Sequence, residues 1–313
     1  MSSNVHHQPV MAQEVVDVLR HVPPGLVVDA TVGAGGHAVR ILRDLDHVEV
    51  LGIDRDDEAL RVAEAALAPY RSRVGLVRAR FDDLGPLVEK SGHSGLSGLF
   101  LDLGVSSMQL DQAGRGFSYR HDGPLDMRMD RREDLSAREV VNEYDQSRLA
   151  ALIRTGSDER YAGRIAAAIV AARPIETTEA LAGVIAGAIP APARRRGGHP
   201  AKRTFQSLRV EVNSELSILA STIDVGFGLL APGGVCAVLT YHSGEDRIVK
   251  DRFMRAAGLP CRCPTGLPCR CPASHPAVKL LWRKARRPCR AEIDSNSRSS
   301  SARLRAAEKV MVL

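Results

Sequence analysis

Between residues 27 and 54 the chain runs through an apolar strand, a glycine turn, a helix and a second apolar strand, and few folds accept that order. Val27-Val28-Asp29 reads as the end of a short buried strand, and Thr31-Val32-Gly33-Ala34-Gly35-Gly36-His37-Ala38 as a glycine-rich turn opening into a helix. A second apolar run, Val48 to Ile53, ends in Asp54, 21 residues after Gly33. Glycines let backbone approach a ligand, a helix N-terminus presents free N–H groups, and a carboxylate at the second strand's end can take two ribose hydroxyls. The pattern predicts a nucleotide-type cofactor site and leaves the cofactor open.

The alternation continues. Asp57 to Ala68 is helical in composition, Val74 to Ala79 and Leu96 to Leu101 are strand-like, and Phe81 and Asp102 lie just past those two strand ends. Strands alternating with helices predict a parallel sheet, whose ligands sit beyond the strands' carboxyl ends. Gly33 to His37, Asp54, Phe81 and Asp102 are therefore expected to line one crevice. From about Asp111 to Arg203 strand patterns stop and helical ones take over, with alanine-rich Ser157 to Ala172 and a helix start at Thr177-Thr178-Glu179. Thr204 to Leu230 reads as one long helix, Val235 to Tyr241 as a strand ending in His242-Ser243-Gly244-Glu245, and Val278 to Trp282 as a last strand. Ser295 to Arg303 reads as loosely ordered. The expected organisation is a cofactor domain in two parts, 1–110 and 204–313, with a helical insertion at 111–203.

At 313 residues and 44% hydrophobic content, the chain can build a full core. No apolar run reaches membrane-span length, and Met1 to Gln8 has no signal-peptide character, so a cytoplasmic, membrane-free protein is expected. The net charge is +6. Residues 194–209 hold six basic side chains (Lys202, Arg203 and Arg209 among them) and no acid, and Lys279 to Lys309 holds ten against three acids. Such stretches are either solvated surface or phosphate contacts to nucleic acid. Cys261, Cys263, Cys269 and Cys271 form a C-x-C-x5-C-x-C loop rich in proline and glycine. Structural zinc, free thiols and a redox-sensitive pair all remain open for it.

Gly33 to Ala38 fits G-x-G-x-x-A, a pattern shared by dehydrogenases and methyltransferases. The short turn suits a ligand without a pyrophosphate, and Asp102 stands where a methyl acceptor would be met. Both features favour S-adenosylmethionine over a nicotinamide dinucleotide, with Asp54 on the ribose and Phe81 against the adenine.

A set of longer stretches then carries a family resemblance: His7-Gln8-Pro9-Val10, Asp29 to His37, Gly52-Ile53-Asp54-Arg55-Asp56, Leu101 to Ser107 with Gln109-Leu110-Asp111, Arg115-Gly116-Phe117-Ser118 and Asp122 to Asp130. Arg203-Thr204-Phe205-Gln206, Val212 to Leu216, Tyr241-His242-Ser243 with Glu245-Asp246-Arg247, and Ser301 to Arg305 complete it. In this order, almost end to end, they resemble the bacterial 16S ribosomal RNA (cytosine-N4)-methyltransferases of the decoding centre. The resemblance implies a Rossmann-like class I S-adenosylmethionine-dependent methyltransferase domain interrupted by a helical substrate-recognition domain. It also implies that Gly35, Gly36, His37, Asp54, Phe81, Asp102 and Gln109 contact the cofactor. Departures are Met108 and Gly244, where the family often has proline and leucine, and the cysteine loop, found in only part of the family.

On the acceptor side, Asp102 can grip the hydrogens of a cytosine amine, and His242, just past a strand end, can take its proton or serve only as a structural hydrogen-bonding group. Asp122, Asp126 and Arg128 are expected to order entry of the base, which must leave its stack. Lys202, Arg203 and the 279–290 stretch are expected to meet 16S rRNA phosphates of the small subunit. A methyltransferase for DNA or a small molecule, or an RNA-binding factor with an inactive cofactor site, remains an alternative. The oligomeric state is open, a dimer included.

Overall fold

The computed structural model describes residues 9–194, 198–259 and 276–311. The four-cysteine loop and Arg195 and Arg196 lie outside them. The chain divides into two compact units: unit 1 is 1–104 with 218–313, and unit 2 is 105–217.

Unit 1 is built on seven strands: β1 (Gly25–Asp29), β2 (Val48–Asp54), β3 (Val74–Arg78), β4 (Leu96–Asp102), β5 (Leu230–Thr240), β6 (Val278–Leu280) and β7 (Arg303–Lys309). Their order is β3-β2-β1-β4-β5-β7-β6. The first five are parallel, and β7 runs antiparallel to both β5 and β6. Successive strand residues point to opposite faces, and both faces here are apolar, as a doubly wound sheet requires. Val27, Val50, Phe100, Ala237 and Leu239 pack on one side with residues of α1 (Ala12–Leu19), α2 (Gly36–Asp44) and α3 (Asp57–Leu67). Val28, Leu51, Leu99, Leu101 and Val238 pack on the other with residues of α4 (Leu84–Lys90). Unit 2 is helical, with α5 (Ser107–Asp111), α6 (Ala137–Glu143), α7 (Gln146–Ser157), α8 (Ala162–Ala171), α9 (Thr178–Ala188), α10 (Ala191–Arg194) and α11 (Lys202–Val212). Leu149, Ile153, Ile165, Ile169, Ile185, Phe205 and Leu208 form its core. Next come α12 (Glu215–Leu229), α13 (Ser243–Ala256) and α14 (Arg290–Ser295), and α12 and α13 add Ile223, Phe227, Val249 and Phe253 to the second face of the sheet.

Several expectations are corrected. The long helix expected over 204–230 is two helices, broken where Ser214 takes a left-handed φ of 52°. The first of them, α11, starts at Lys202 and belongs to unit 2. The first boundary also moves, from 110 to 104. The helix expected over 157–172 is the end of α7, a turn with Asp158 left-handed at φ 53°, and α8. β5 begins at Leu230, with the Pro232-Gly233-Gly234 stretch taken up as an irregularity where the register against β4 jumps. The serine-rich segment is ordered: Ser297–Ser301 is a 3-10 helix with Ser299 buried, and it leads into β7. Among the described residues no helix is long and apolar enough to cross a membrane.

Candidate active site

β1 has β2 on one side and β4 on the other, so the chain order reverses at the β1/β4 pair, where a doubly wound sheet opens a crevice beyond its carboxyl ends. The turn after β1 is tied to both neighbours. Val32 N–H donates to the Ile53 carbonyl at 2.9 Å, and Thr31 Oγ1 accepts the Asp102 N–H at 2.6 Å. Gly33 (φ 53°) and Gly35 (φ 84°) are left-handed, a conformation glycine adopts at no steric cost. A Cβ on Gly35 would also come within 3.3 Å of Ala63 Cα. Gly35 is the N-cap of α2, and among the described residues no side chain caps that helix, so its first peptide N–H groups stay available to a ligand.

Asp54 closes the turn from the β2 side. Its Oδ2 accepts the Gly33 N–H at 2.9 Å and its Oδ1 the Asp56 N–H at 3.0 Å. Burial raises its pKa, against the lowering effect of those two bonds. Each carboxylate oxygen keeps acceptor capacity beyond one bond. Ala79 N–H donates to the Asp54 carbonyl at 3.0 Å, and the chain then reaches Phe81, which is only 8% exposed among Ile53, Leu84 and Leu101. Its ring is mainly a core element.

The centre of the crevice holds four titratable groups in contact or electrostatic reach. His37, 6% exposed, lies on the Phe100 ring at 4.7 Å between centroids, and its Nε2 is 3.5 Å from Asp102 Oδ2. That contact lacks hydrogen-bond geometry, and among the described residues neither ring nitrogen of His37 makes a hydrogen bond. Asp29, 1% exposed, accepts the Thr31 N–H through Oδ1, while its buried Oδ2 makes no hydrogen bond among the described residues. Burial pushes its carboxyl up to about 7, while His37 pulls the other way. Asp102 Oδ1 accepts from the Tyr241 hydroxyl at 2.7 Å. Burial and the Asp102 charge hold the Tyr241 phenol well above its usual range. Asp29 and Tyr241 were not singled out as site residues from sequence. Asp29 opens the glycine motif, but Tyr241 becomes visible only once β5 is known to flank β4.

His242 has a structural task in place of the expected one. It is the N-cap of α13, its Nδ1 accepting the N–H groups of Gly244 and Glu245 at 3.2 and 3.4 Å. Nδ1 thus has no lone pair left for a proton, and Nε2 lies 2.9 Å from buried Glu245 Oε1. Glu245 Oε2 in turn accepts the N–H groups of Tyr241 and His242.

The other expected site residues belong to unit 2. Gln109 is buried on α5 in a reciprocal capping box with Ser106. Hydrogen bonds from Thr177 and the Glu179 N–H lower the pKa of Asp122. Arg128 donates Nε and Nη2 to Asp126 at 2.7 and 3.2 Å and Nη1 to the Glu133 carbonyl at 2.8 Å. Lys202 and Arg203 are exposed on the first turn of α11, with Arg203 Nη1 3.7 Å from Glu159 Oε2. Among the described residues no cluster of metal-ligating side chains occurs.

The site can therefore seat an uncapped polar ligand on a helix N-terminus, hold a diol on Asp54, and satisfy Asp29 and His37 next to an oriented carboxylate. The family model described as "MraW methylase family" matches residues 4–310. A protein of Symbiobacterium thermophilum named "Ribosomal RNA small subunit methyltransferase H" is 47% identical over 309 residues, covering 97% of each chain. Proteins of the same name from Acidothermus cellulolyticus and Heliobacterium modesticaldum are 48% and 46% identical, covering 98% and 97% of this chain and 94% and 99% of theirs.

Proposed function

The chain belongs to the MraW methylase family, and from that premise we propose that it transfers a methyl group from S-adenosylmethionine to the exocyclic N4 of a cytosine in the decoding centre of 16S rRNA. Its fold is the Rossmann-like class I methyltransferase fold, and its work is cytoplasmic, on the small ribosomal subunit. The observation that carries the reading is the group of buried polar atoms that make no hydrogen bond among the described residues at the β1/β4 switch point, Asp29 Oδ2 and the His37 nitrogens, beside Asp102. Buried polar groups cost stability unless something satisfies them, and a zwitterionic, cationic cofactor does so.

S-adenosylmethionine, when bound, supplies an electrophilic methyl group on a positively charged sulfur. The chain's own residues then have distinct tasks. Asp54 takes the ribose hydroxyls. Gly35, Gly36 and the start of α2 let backbone meet the ligand without a side chain intervening. Asp29 and His37 meet its polar end, Phe81 borders the adenine, and Gln109 is assigned to the cofactor by the family resemblance. Asp102 accepts hydrogen bonds from the amine of the target base, draws its lone pair out of conjugation, and receives the proton the nitrogen must lose. Tyr241 holds Asp102 by one oxygen, so the other faces the crevice. Asp122, Asp126 and Arg128 order a loop that meets the RNA, and Lys202 and Arg203 meet phosphates.

The test is transfer of labelled methyl from S-adenosylmethionine to small subunits lacking the modification, followed by nucleoside analysis. The expected product is N4-methylcytidine in decoding-centre RNA. Absence of transfer to subunits and to naked rRNA, with measurable cofactor binding, overturns the substrate assignment.

A further inference from the structure

Behind the Asp102–Tyr241 pair, unit 1 contains a cavity of about 150 Å³ that the cofactor reading does not use. Tyr241 and His242 form one wall, Ser243 marks the start of α13, and Arg287, Ser300, Ser301 and Arg303 supply the rest. None of its lining residues is acidic.

The charge balance around it is uneven. Arg303 Nη1 donates to Asp246 Oδ2 at 2.6 Å, and Arg305 donates to the same carboxylate through Nε and Nη2 at 2.8 and 3.3 Å. Against the effect of burial, these two arginines hold Asp246 below the usual carboxylate range. One carboxylate thus serves two guanidiniums, one of which, Arg303, puts a positive group on the cavity wall. Arg287 adds a second and makes no ion pair among the described residues. Serine hydroxyls and guanidinium N–H groups donate to anionic oxygens in fixed directions, and guanidinium matches a phosphate with two parallel bonds. The site is also larger than a water or two require.

We propose that this cavity binds a phosphate group, and that its source is a backbone phosphodiester of the RNA close to the target base. The proposal rests on the methyltransferase reading for its source and on the cavity for its chemistry. Tyr241 lines the cavity and donates to Asp102, so one side chain separates the phosphate site from the carboxylate assigned to the target amine. A nucleotide held by its phosphate here has its base restricted to the neighbourhood of that carboxylate. This is positioning by a remote contact, which limits the orientations a flipped base can take.

Arg287→Ala tests it, because Arg287 is exposed and outside the core. The expected result is a KM for small subunits raised about tenfold, a kcat within about twofold, and unchanged affinity for S-adenosylmethionine by calorimetry. The slope of log K against log salt for RNA binding is expected to fall by about one. Arg287→Lys should recover much of the loss. Inorganic phosphate, compared with chloride at equal ionic strength, should compete with RNA for the parent chain and not for Arg287→Ala. Loss of phosphate competition with KM and salt slope unchanged would make the site one for a free anion and overturn the RNA assignment. Weakened cofactor binding would hand the cavity to the cofactor's carboxylate, and no change in any readout overturns the site itself. If the parent chain binds RNA but methylates none, the functional reading fails, while the salt slope still decides the cavity.

Discussion

In unit 1, Asp29 Oδ2 and both nitrogens of His37 are buried with no hydrogen bond among the described residues, whereas in unit 2 the acids singled out by sequence are engaged by their own chain: Asp122 by Thr177 and Glu179, Asp126 by Arg128. All of them lie in motifs that carry the family resemblance, so motif membership alone does not separate ligand-binding residues from structural ones. For these residues the difference lies in their polar atoms: the unit 2 acids spend theirs on their own loop, while Asp29 and His37 keep hydrogen-bonding capacity at the carboxyl ends of β1 and β4.

Three experiments would break or sharpen that contrast. The largest effect is expected for Asp54→Ala. Two hydrogen bonds from ribose hydroxyls to a charged group, at ~1.5–3 kcal/mol each, correspond to a loss of cofactor affinity on the order of 100-fold or more. Calorimetry with S-adenosylmethionine checks it, and an unchanged Kd would remove Asp54 from the site. Next, Arg128→Ala should lower the stability of unit 2 by about 1–2 kcal/mol, discounted for partial exposure, and leave cofactor affinity alone. A denaturant titration followed by cofactor binding reads both. An intact stability with impaired RNA binding would show that the Asp126–Arg128 pair is a substrate contact and break the contrast.

The smallest effect concerns Asp29, whose carboxyl sits at about 7 in the folded chain against 3.8 in its ordinary state. Between these values the folded state holds a proton that the unfolded state has lost. Its contribution to stability is therefore full below pH ~4, falls as pH rises, and is exhausted above ~7. Asp29→Asn should flatten that part of the Tm-versus-pH curve. A cation arriving beside Asp29 favours its charged form, so cofactor binding near pH 7 should release about half a proton. Calorimetry in buffers of different ionisation heats measures it, and equal release from Asp29→Asn would place the proton elsewhere.

Much of unit 1 was legible because β1, β2 and β4 are buried on both faces and read as continuous apolar runs, such as Val48 to Ile53. The glycine turn was legible because left-handed backbone at Gly33 and Gly35 demands glycine. β7 was not, since Arg303 to Lys309 mixes charges with alanines and acquires its strand character from pairing between β5 and β6. The break at Asn213-Ser214 contains neither glycine nor proline, so helical periodicity ran through it unmarked. Sequence left His242 between two roles because a histidine after a strand end has the same signature whether it caps or catalyses. The Asp102–Tyr241 bond joins residues 139 positions apart and has no local signal at all.

β6 precedes β7 in the chain, but among the described residues β7 is its only partner in the sheet, and β7 also closes the open side of β5. During synthesis this imposes an order of events. The parallel strands can assemble as they emerge, while β5 waits with six residues of unpaired edge, Val235 to Thr240, until Arg303 to Lys309 has been made. A nascent or truncated chain that stops before residue 303 would present that edge, apolar on both sides, as a template for pairing with other chains. β7, made after all six of the other strands, is therefore what makes the earlier ones safe in a crowded cell.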